Sequence, residues 1–242
     1  TITTTNGQTY NDAVTLGANV TLTASSITTS STIAAGANNL TLVTDALSLG
    51  GNVSGGAGTL TIAPKTAATT IGLGSGSNAT GANLQLDDTE LGYINVTGNY
   101  FGAIVIGDAT SVTGGTGTLK YDTNANQNFH STLTLKSLSG AITSYDQLDV
   151  SSTKNLTINT GGAVSLSTIN TANILAVTGT GITLNGSVTT TGTQTYTGAV
   201  TLGADITLTT AAASTSGDIS FSSTVEGATS PSYSLTATTA AD

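Results

Sequence analysis

Aliphatic residues recur in pairs around a single small polar residue along most of this chain. Residues 20–22, 40–42 and 60–62 read Val-Thr-Leu, Leu-Thr-Leu and Leu-Thr-Ile. Neighbouring side chains of a strand point to opposite faces, so each triplet predicts a short strand with its aliphatic pair inward and its threonine outward. The three triplets begin 20 residues apart, and short strands at this spacing are typical of a parallel β-solenoid, whose coils stack on one another.

Turn-forming residues separate these predicted strands. Glycine and asparagine cluster in segments 35–39, 50–52 and 114–117, and both tolerate the positive φ that tight corners need. Helical periodicity is not sustained, and residues 87–92 are the one segment for which we predict a helical turn, with an aspartate as its N-cap. The pattern therefore predicts an all-β fold, a parallel β-helix (β-solenoid) with about twelve coils at roughly 20 residues per coil.

The middle of the chain departs from this regular spacing. Residues 93–150 hold six of the ten aromatic residues, and their predicted strands are unevenly spaced. We interpret this region as wider or irregular coils of the same solenoid, with aromatic rings filling the core. The alternative is a surface that contacts carbohydrate or a host, because rings on an exposed loop suit such contacts. That surface would use Tyr93, Tyr100, Phe101 and Tyr121.

One stretch of the sequence occurs twice. Residues 8–23 and 194–209 are identical at 12 of 16 positions aligned without a gap, at a constant offset of 186 residues. Duplication of this kind indicates a repeat protein, in which one supersecondary unit is copied and stacked. We therefore predict a single solenoid segment over 1–242, with one unit of about 186 residues (1–186) and the start of the next (187–242). The predicted partners are neighbouring copies of the repeat, in the same chain or end to end.

Composition excludes several classes of function. The formal net charge is −9, with four basic residues, all lysine, so we do not expect nucleic acid as a partner, because it requires a basic surface. No apolar run reaches the roughly 18–20 residues of a membrane-spanning helix, so we predict no membrane insertion. The absence of cysteine excludes disulfides and thiolate metal sites. The absence of methionine indicates that Thr1 results from processing or excision.

Three stretches carry a resemblance to a known family. They are residues 194–204, which read Gln-Thr-Tyr-Thr-Gly-Ala-Val-Thr-Leu-Gly-Ala, residues 217–228, and residues 58–66 continuing through 70–74 to 84–91. Together they resemble the repeat regions of large bacterial filamentous-haemagglutinin-type surface adhesins. The resemblance implies that the β-helix is right-handed and that the protein is exported to the bacterial cell surface. It carries no catalytic or receptor-binding motif.

His130 and one group of carboxylates are the candidates for chemistry. His130 is the only histidine, and beside a nucleophile it would act as a base. No Gly-x-Ser-x-Gly motif accompanies it, so we interpret it as a surface residue at a corner. Asp87, Asp88 and Glu90 form the densest acidic group, and carboxylate oxygens suit calcium, the one cofactor considered. The same residues also suit a helix N-terminus without metal, which is the interpretation we favour.

These observations predict a non-enzymatic structural module of an extracellular bacterial surface fibre or adhesin stalk. Two alternatives stay open: a filament subunit that stacks end to end, and a binding module that contacts glycans or a host surface through residues 93–150. A polysaccharide-degrading solenoid enzyme would need clustered aspartates beside arginine or lysine in a groove. The basic residues number only four, none of them arginine, which argues against the enzyme.

Overall fold

The computed structural model describes residues 1–95, 98–107, 116–211, 217–227 and 232–239. Within these ranges the chain is nearly all β, with one short helix, α1 (Asp88–Ile94). No helix among the described residues is long and apolar enough to cross a membrane. The strands, in chain order, are β1 (Ile2–Thr3), β2 (Gln8–Tyr10), β3 (Val14–Thr15), β4 (Val20–Thr23), β5 (Ile27–Thr29), β6 (Ile33–Ala34), β7 (Leu40–Val43), β8 (Leu47–Leu49), β9 (Val53–Ser54), β10 (Thr59–Ala63), β11 (Ile71–Leu73), β12 (Leu84–Leu86), β13 (Ala103–Ile106), β14 (Leu119–Tyr121), β15 (Asn128–Phe129), β16 (Thr132–Ser137), β17 (Ile142–Ser144), β18 (Leu148–Val150), β19 (Leu156–Thr160), β20 (Val164–Leu166), β21 (Ile169–Ala172), β22 (Leu175–Leu184), β23 (Val188–Thr190), β24 (Gln194–Leu202), β25 (Ile206–Thr210), β26 (Ile219–Phe221), β27 (Val225–Gly227) and β28 (Leu235–Thr239).

The strands pair in parallel with equivalents in the preceding and following coils. Leu40 pairs with Val20 on one side and with Leu60 on the other, so the aliphatic positions of the sequence triplets stack directly. The longest ladder, called here the main ladder, runs β1-β4-β7-β10-β13-β16-β19-β22-β24-β26 and contains ten strands. This pairing is consistent with a parallel β-helix. The count of about twelve coils stays a prediction.

Two further sets of strands accompany the main ladder. The second ladder runs β12-β11-β14-β17-β20-β22-β24-β27, and the long strands β22 and β24 take part in both through their two halves. The third set is the six-stranded sheet β15-β18-β21-β23-β25-β28. Beside the first strands of the main ladder lie two three-stranded sheets, β2-β5-β8 and β3-β6-β9. The long strands show how the chain turns from one ladder into the next.

The core is a continuous stack of aliphatic side chains that follows these ladders. Leu40, Leu42 and Leu60 are fully buried, whereas Thr41 and Thr61 between the aliphatic positions are half-buried on the outer face. The inward and outward directions predicted for the triplets are therefore confirmed. Burying one leucine contributes roughly 1.5–3 kcal/mol, so the repeated aliphatic pairs are the main source of stability in a chain without disulfides.

Hydroxyl side chains and glycines form the corners between strands. Thr160 Oγ1 donates to the carbonyl of Gly140 at 2.6 Å and accepts from the amide of Gly162 at 2.9 Å. Gly140 lies so close to the neighbouring coil that an added Cβ would be 2.0 Å from the carbonyl oxygen of Gly117. Glycine is required here because two coils approach closely, and the buried hydroxyl satisfies backbone groups that a corner leaves unpaired.

The regular stacking is interrupted by one additional strand and by α1. β12 pairs with β11 through Ile71 and Leu84, and it lies against β8 of the preceding coil. α1 packs against β8 and β9, with Leu91 and Ile94 buried. The main ladder continues past this point, because β10 pairs directly with β13. The irregular part predicted over residues 93–150 therefore begins earlier in the chain, at the connection between β11 and β12.

Candidate functional site

The three carboxylates considered for calcium lie at the start of α1. Asp87 is the N-cap, and its carboxylate accepts from the amide of Glu90 at 2.8 Å. The Glu90 carboxylate in turn accepts from the Asp87 amide at 3.1 Å. This reciprocal pair is a capping box, which satisfies two amides that a helix N-terminus leaves unpaired. The helical turn predicted over residues 87–92, with an aspartate N-cap, is confirmed.

Glu90 and Asp88 also join α1 to the neighbouring coils. The second Glu90 oxygen, Oε1, accepts from the amide of Leu49 in β8 at 2.8 Å. Burial raises the pKa of the Glu90 carboxyl, and the two backbone hydrogen bonds offset part of this effect. The Asp88 carboxylate accepts from the amides of Ser75 at 3.2 Å and Asn124 at 3.1 Å. Each of these carboxylates therefore binds backbone N–H groups of the protein itself.

The geometry of this acidic group favours a structural role. Among the residues that the structure describes, no group of three or more histidine, cysteine, aspartate or glutamate side chains is arranged to hold a metal ion. Calcium binding by Asp87, Asp88 and Glu90 stays a prediction. Their observed hydrogen bonds are sufficient to explain why acidic residues stand at these three positions.

Two of the four aromatic residues considered for surface contact lie in the core. Phe101 and Tyr121 are 1% and 0% exposed, so the surface-contact interpretation is wrong for them. The Phe101 ring packs over Gly55, where an added Cβ would lie 2.3 Å from the ring. Burial raises the pKa of Tyr121 to about 12. Tyr93 is half-buried and packs against the core.

Tyr100 remains a surface candidate, and it forms a stacked pair with His130. The ring centroids are 4.5 Å apart and the rings are inclined by 25°. Both rings, together with Lys154, line an open groove of about 490 Å³ that no aspartate or glutamate lines. The backbone amide of His130 donates to Asn95 Oδ1 at 3.1 Å, which fixes this segment. The groove could contact a ligand through its rings, but its lining offers no carboxylate pair for hydrolysis.

Nothing in the amino-acid sequence alone linked Tyr100 to His130. They are 30 positions apart, and the stacking of successive coils brings them together. The spacing of the two strands that follow them, β13 and β16, which pair through Ala103 and Thr132, is the one signal that could have suggested this contact. Residues 96, 97 and 108–115 of the predicted aromatic-rich region lie outside the described residues.

The duplicated stretch builds the same hydrogen-bond network twice. The Tyr10 hydroxyl donates to Gln8 Oε1 at 3.0 Å, and Gln8 Nε2 donates to the carbonyl of Thr23 at 3.1 Å. The residues 186 positions later form the same two bonds, at 3.0 and 2.9 Å; they are Tyr196, Gln194 and Thr209. A buried amide side chain requires such partners, which explains why Gln-Thr-Tyr is shared by both copies.

Comparison with known proteins does not identify a family. No family model matches this chain, and neither a curated protein nor a solved structure matches it. The adhesin resemblance therefore stays a prediction. The functional proposal is based on the ladders, the groove and the duplicated network described above.

Proposed function

We propose that this chain is a non-catalytic structural module of an extracellular bacterial surface fibre or adhesin stalk. The observation that carries this proposal is the main ladder of ten parallel strands. The backbone hydrogen bonds between its strands all run along the same axis. They continue across the segment that contains β12 and α1, and the stacked aliphatic side chains continue with them. In such a fold each coil contacts only the coils directly before and after it, so the fold can be lengthened by adding coils. This property suits a spacer whose length can vary.

In this proposal the chain is a right-handed parallel β-helix in which each coil contributes one strand to the main ladder, ten of them among the described residues. The three sets of parallel strands and the 20-residue offset between Val20, Leu40 and Leu60 support a coil with three strands. Right-handed crossover is the general rule for parallel strands joined within one sheet. The long strands β22 and β24 support the same path, because each turns from the main ladder into the second ladder without a break.

The outer surface supports a passive role. Charged residues are 7% of the chain, and the outward positions of the ladders are largely threonine and serine. Threonine at outward strand positions is well explained by its β propensity. The most concentrated carboxylates bind backbone amides of the fold. These features favour a spacer over an enzyme.

A second candidate function is the binding of a glycan or host surface by the groove beside Tyr100. The stacked pair of Tyr100 and His130, with Lys154 on the same groove, is the observation that favours it. Rings with a polar edge are common in contact surfaces. An end-to-end filament of separate subunits is the other alternative.

Binding measurements on glycan and host-surface protein arrays test the structural proposal against the binding proposal. The variants are Tyr100→Ala and a matched control, Tyr145→Ala, whose ring is 44% exposed and does not line the groove. The structural proposal predicts no saturable binding by the unmodified chain. Saturable binding that Tyr100→Ala abolishes and Tyr145→Ala retains would contradict it, as would measurable turnover of a polysaccharide.

A further inference from the structure

Apolar side chains at the start of the first copy of the duplicated stretch are exposed, whereas the equivalent side chains of the second copy are buried. Ile2 is 48% exposed, whereas Val188 at the equivalent position is 0% exposed. Tyr10 is half-buried, whereas Tyr196 is fully buried. The open side of the first copy forms an apolar cavity of about 90 Å³, whose lining includes Ile2, Tyr10, Val14, Leu16, Val20 and Leu22.

In the second copy, strands from residues 169–186 cover this same side. β21 pairs with β23 through Ile169 and Val188. The first half of β22 pairs with the first half of β24, and the second halves pair likewise. Leu175 and Ile182 on β22 are 0% and 1% exposed beneath them. The chain therefore contains the coil that fits this apolar surface.

Strand pairing shows that the two copies are equivalent beyond the 16 aligned residues. Ile2 in β1 pairs with Leu22 in β4, and Val188 in β23 pairs with Leu208 in β25. Both members of the second pair lie 186 positions after those of the first. Corner hydrogen bonds agree: the side-chain Oδ1 of residue 19 and that of residue 205 each accept from a backbone amide of the next coil, at 2.9 and 2.8 Å.

The second copy is displaced by one ladder relative to the first. β1 belongs to the main ladder, but its equivalent β23 belongs to the six-stranded sheet. β2 belongs to the sheet β2-β5-β8, but its equivalent, the first half of β24, belongs to the main ladder. One unit of 186 residues therefore stops short of a whole number of coils by one strand. The first unit ends in the second ladder, with the second half of β22, and the next unit starts with β23 in the six-stranded sheet.

The opposite side of the molecule shows the complementary difference. Leu235 in β28 and Val225 in β27 are each 36% exposed, whereas Leu40 and Ile33 at the equivalent pairing positions are 0% and 2% exposed. In the first copy β5, β6 and β7 are covered by β8, β9 and β10. Both open sides thus have a partner whose sequence is already present in the chain.

We propose that the open side of β1, β2 and β3 is an interface for residues 169–186 of a second copy of the same unit. β1 then pairs with β21 of the other copy, and β2 and β3 pair with the two halves of β22. Thr9 lies opposite Ala176 in this junction, as Thr195 does within the chain. The inference rests on the proposed role as a repeating solenoid unit, and it adds that consecutive units join with a shift of one ladder.

Cysteine cross-linking in a tandem protein tests this junction. Residues 1–186 are followed directly by residues 1–242, with Ala176→Cys in the first copy and Thr9→Cys in the second. Partners on neighbouring parallel strands lie about 4.8 Å apart, within the roughly 4.4–6.8 Å between Cα atoms that a disulfide spans, and the chain has no cysteine of its own. We expect the same disulfide yield as in the 242-residue chain with Ala176→Cys and Thr195→Cys, the positive control.

A second cysteine pair identifies the ladder on which the units join. If β1 continued the main ladder without the shift, Thr178→Cys of the first copy would cross-link to Thr3→Cys of the second, because the register of that ladder aligns Ile2 with Val177 and therefore Thr3 with Thr178. Cross-linking of that pair would overturn the inference, and so would failure of both tandem pairs while the positive control cross-links. Neither result changes what the glycan and host-surface binding arrays or the polysaccharide turnover assay would show. Failure of the proposed junction is therefore distinguishable from failure of the proposed structural role.

Discussion

At single positions, the direction of a side chain within a strand determines how much a substitution costs. In β7, Leu42 is fully buried and Thr41 is half-buried on the opposite face. The same alternation extends along each ladder, because parallel pairing places like residues above one another. This was predictable from the sequence, since a slip of one position would have placed every aliphatic pair in solvent.

Leu42→Asp is expected to destabilise the protein far more than Thr41→Asp. An unpaired carboxylate inside the aliphatic stack costs several kcal/mol, whereas one on the outer face costs little. Thermal and urea unfolding of the two variants measure the difference, and each variant is the matched control of the other. Equal losses in the two variants would show that the inward and outward faces are assigned incorrectly.

Asp45 is expected to make stability depend on pH. Its carboxylate accepts from the amide and hydroxyl of Thr66 at 2.7 and 2.6 Å and from the Thr69 hydroxyl at 2.7 Å. Burial acts to raise the pKa of Asp45, but these hydrogen bonds outweigh it and hold the pKa below its ordinary value. The folded protein therefore binds this proton more weakly than the unfolded chain, and the stabilisation is lost as pH falls.

Asp45→Asn should lower the melting temperature at neutral pH and reduce the loss of stability that begins as pH falls below about 5, where an ordinary aspartate starts to titrate, and continues through the lowered pKa of the folded state. Melting temperatures of both proteins over a pH series provide the check. Curves that stay parallel down to the lowest pH would show that Asp45 contributes nothing to the pH dependence.

At the scale of single elements, the periodic strands could be predicted and the additional ones could not. β4, β7 and β10 follow from their triplets, and α1 follows from the acidic residues at its start. β12 has the same inward and outward pattern as its neighbours, so its sequence does not reveal that it lies between β8 and β11. That placement depends on how the chain turns back after β11, which is a matter of tertiary packing.

The candidate site shows the same limit. The carboxylate group of α1 was recognised, but its bond to β8 depends on a coil some 40 residues earlier in the chain. Phe101 and Tyr121 were considered for the surface because aromatic residues serve both purposes. Their burial is decided by the space that wider coils leave inside. The Tyr100–His130 contact likewise joins residues from successive coils.

Glu90→Ala is expected to loosen α1 from β8. The substitution leaves the amides of Leu49 and Asp87 without their acceptor, which costs about 1–3 kcal/mol for each buried group. Hydrogen exchange at the Leu49 amide should accelerate, and stability should fall. Glu226→Ala is the control, because Glu226 is exposed in β27. Unchanged exchange at Leu49 would mean that Leu91 and Ile94 alone hold the helix.

At the scale of the whole molecule, the sequence revealed the duplication and the structure revealed its geometry. The 186-residue offset does not state how many strands a unit contains, because β12 and α1 lengthen one coil by a non-repeating amount. The first half of β22 is the eighth strand of the main ladder that starts at β1. After it the chain passes through the second ladder, in the second half of β22, and reaches the six-stranded sheet at β23. In the proposed β-helix, with one main-ladder strand per coil, one unit would therefore span about 7⅔ coils, or about 37 Å at roughly 4.8 Å per coil.

Small-angle X-ray scattering of the 242-residue chain and of the tandem protein, residues 1–186 followed by 1–242, tests the central claim that the chain is a repeating rod-like unit. The account predicts that the maximum dimension grows by about 37 Å while the cross-sectional radius of gyration is unchanged, because the added unit stacks along the same axis. A larger cross-section with little gain in length would contradict it.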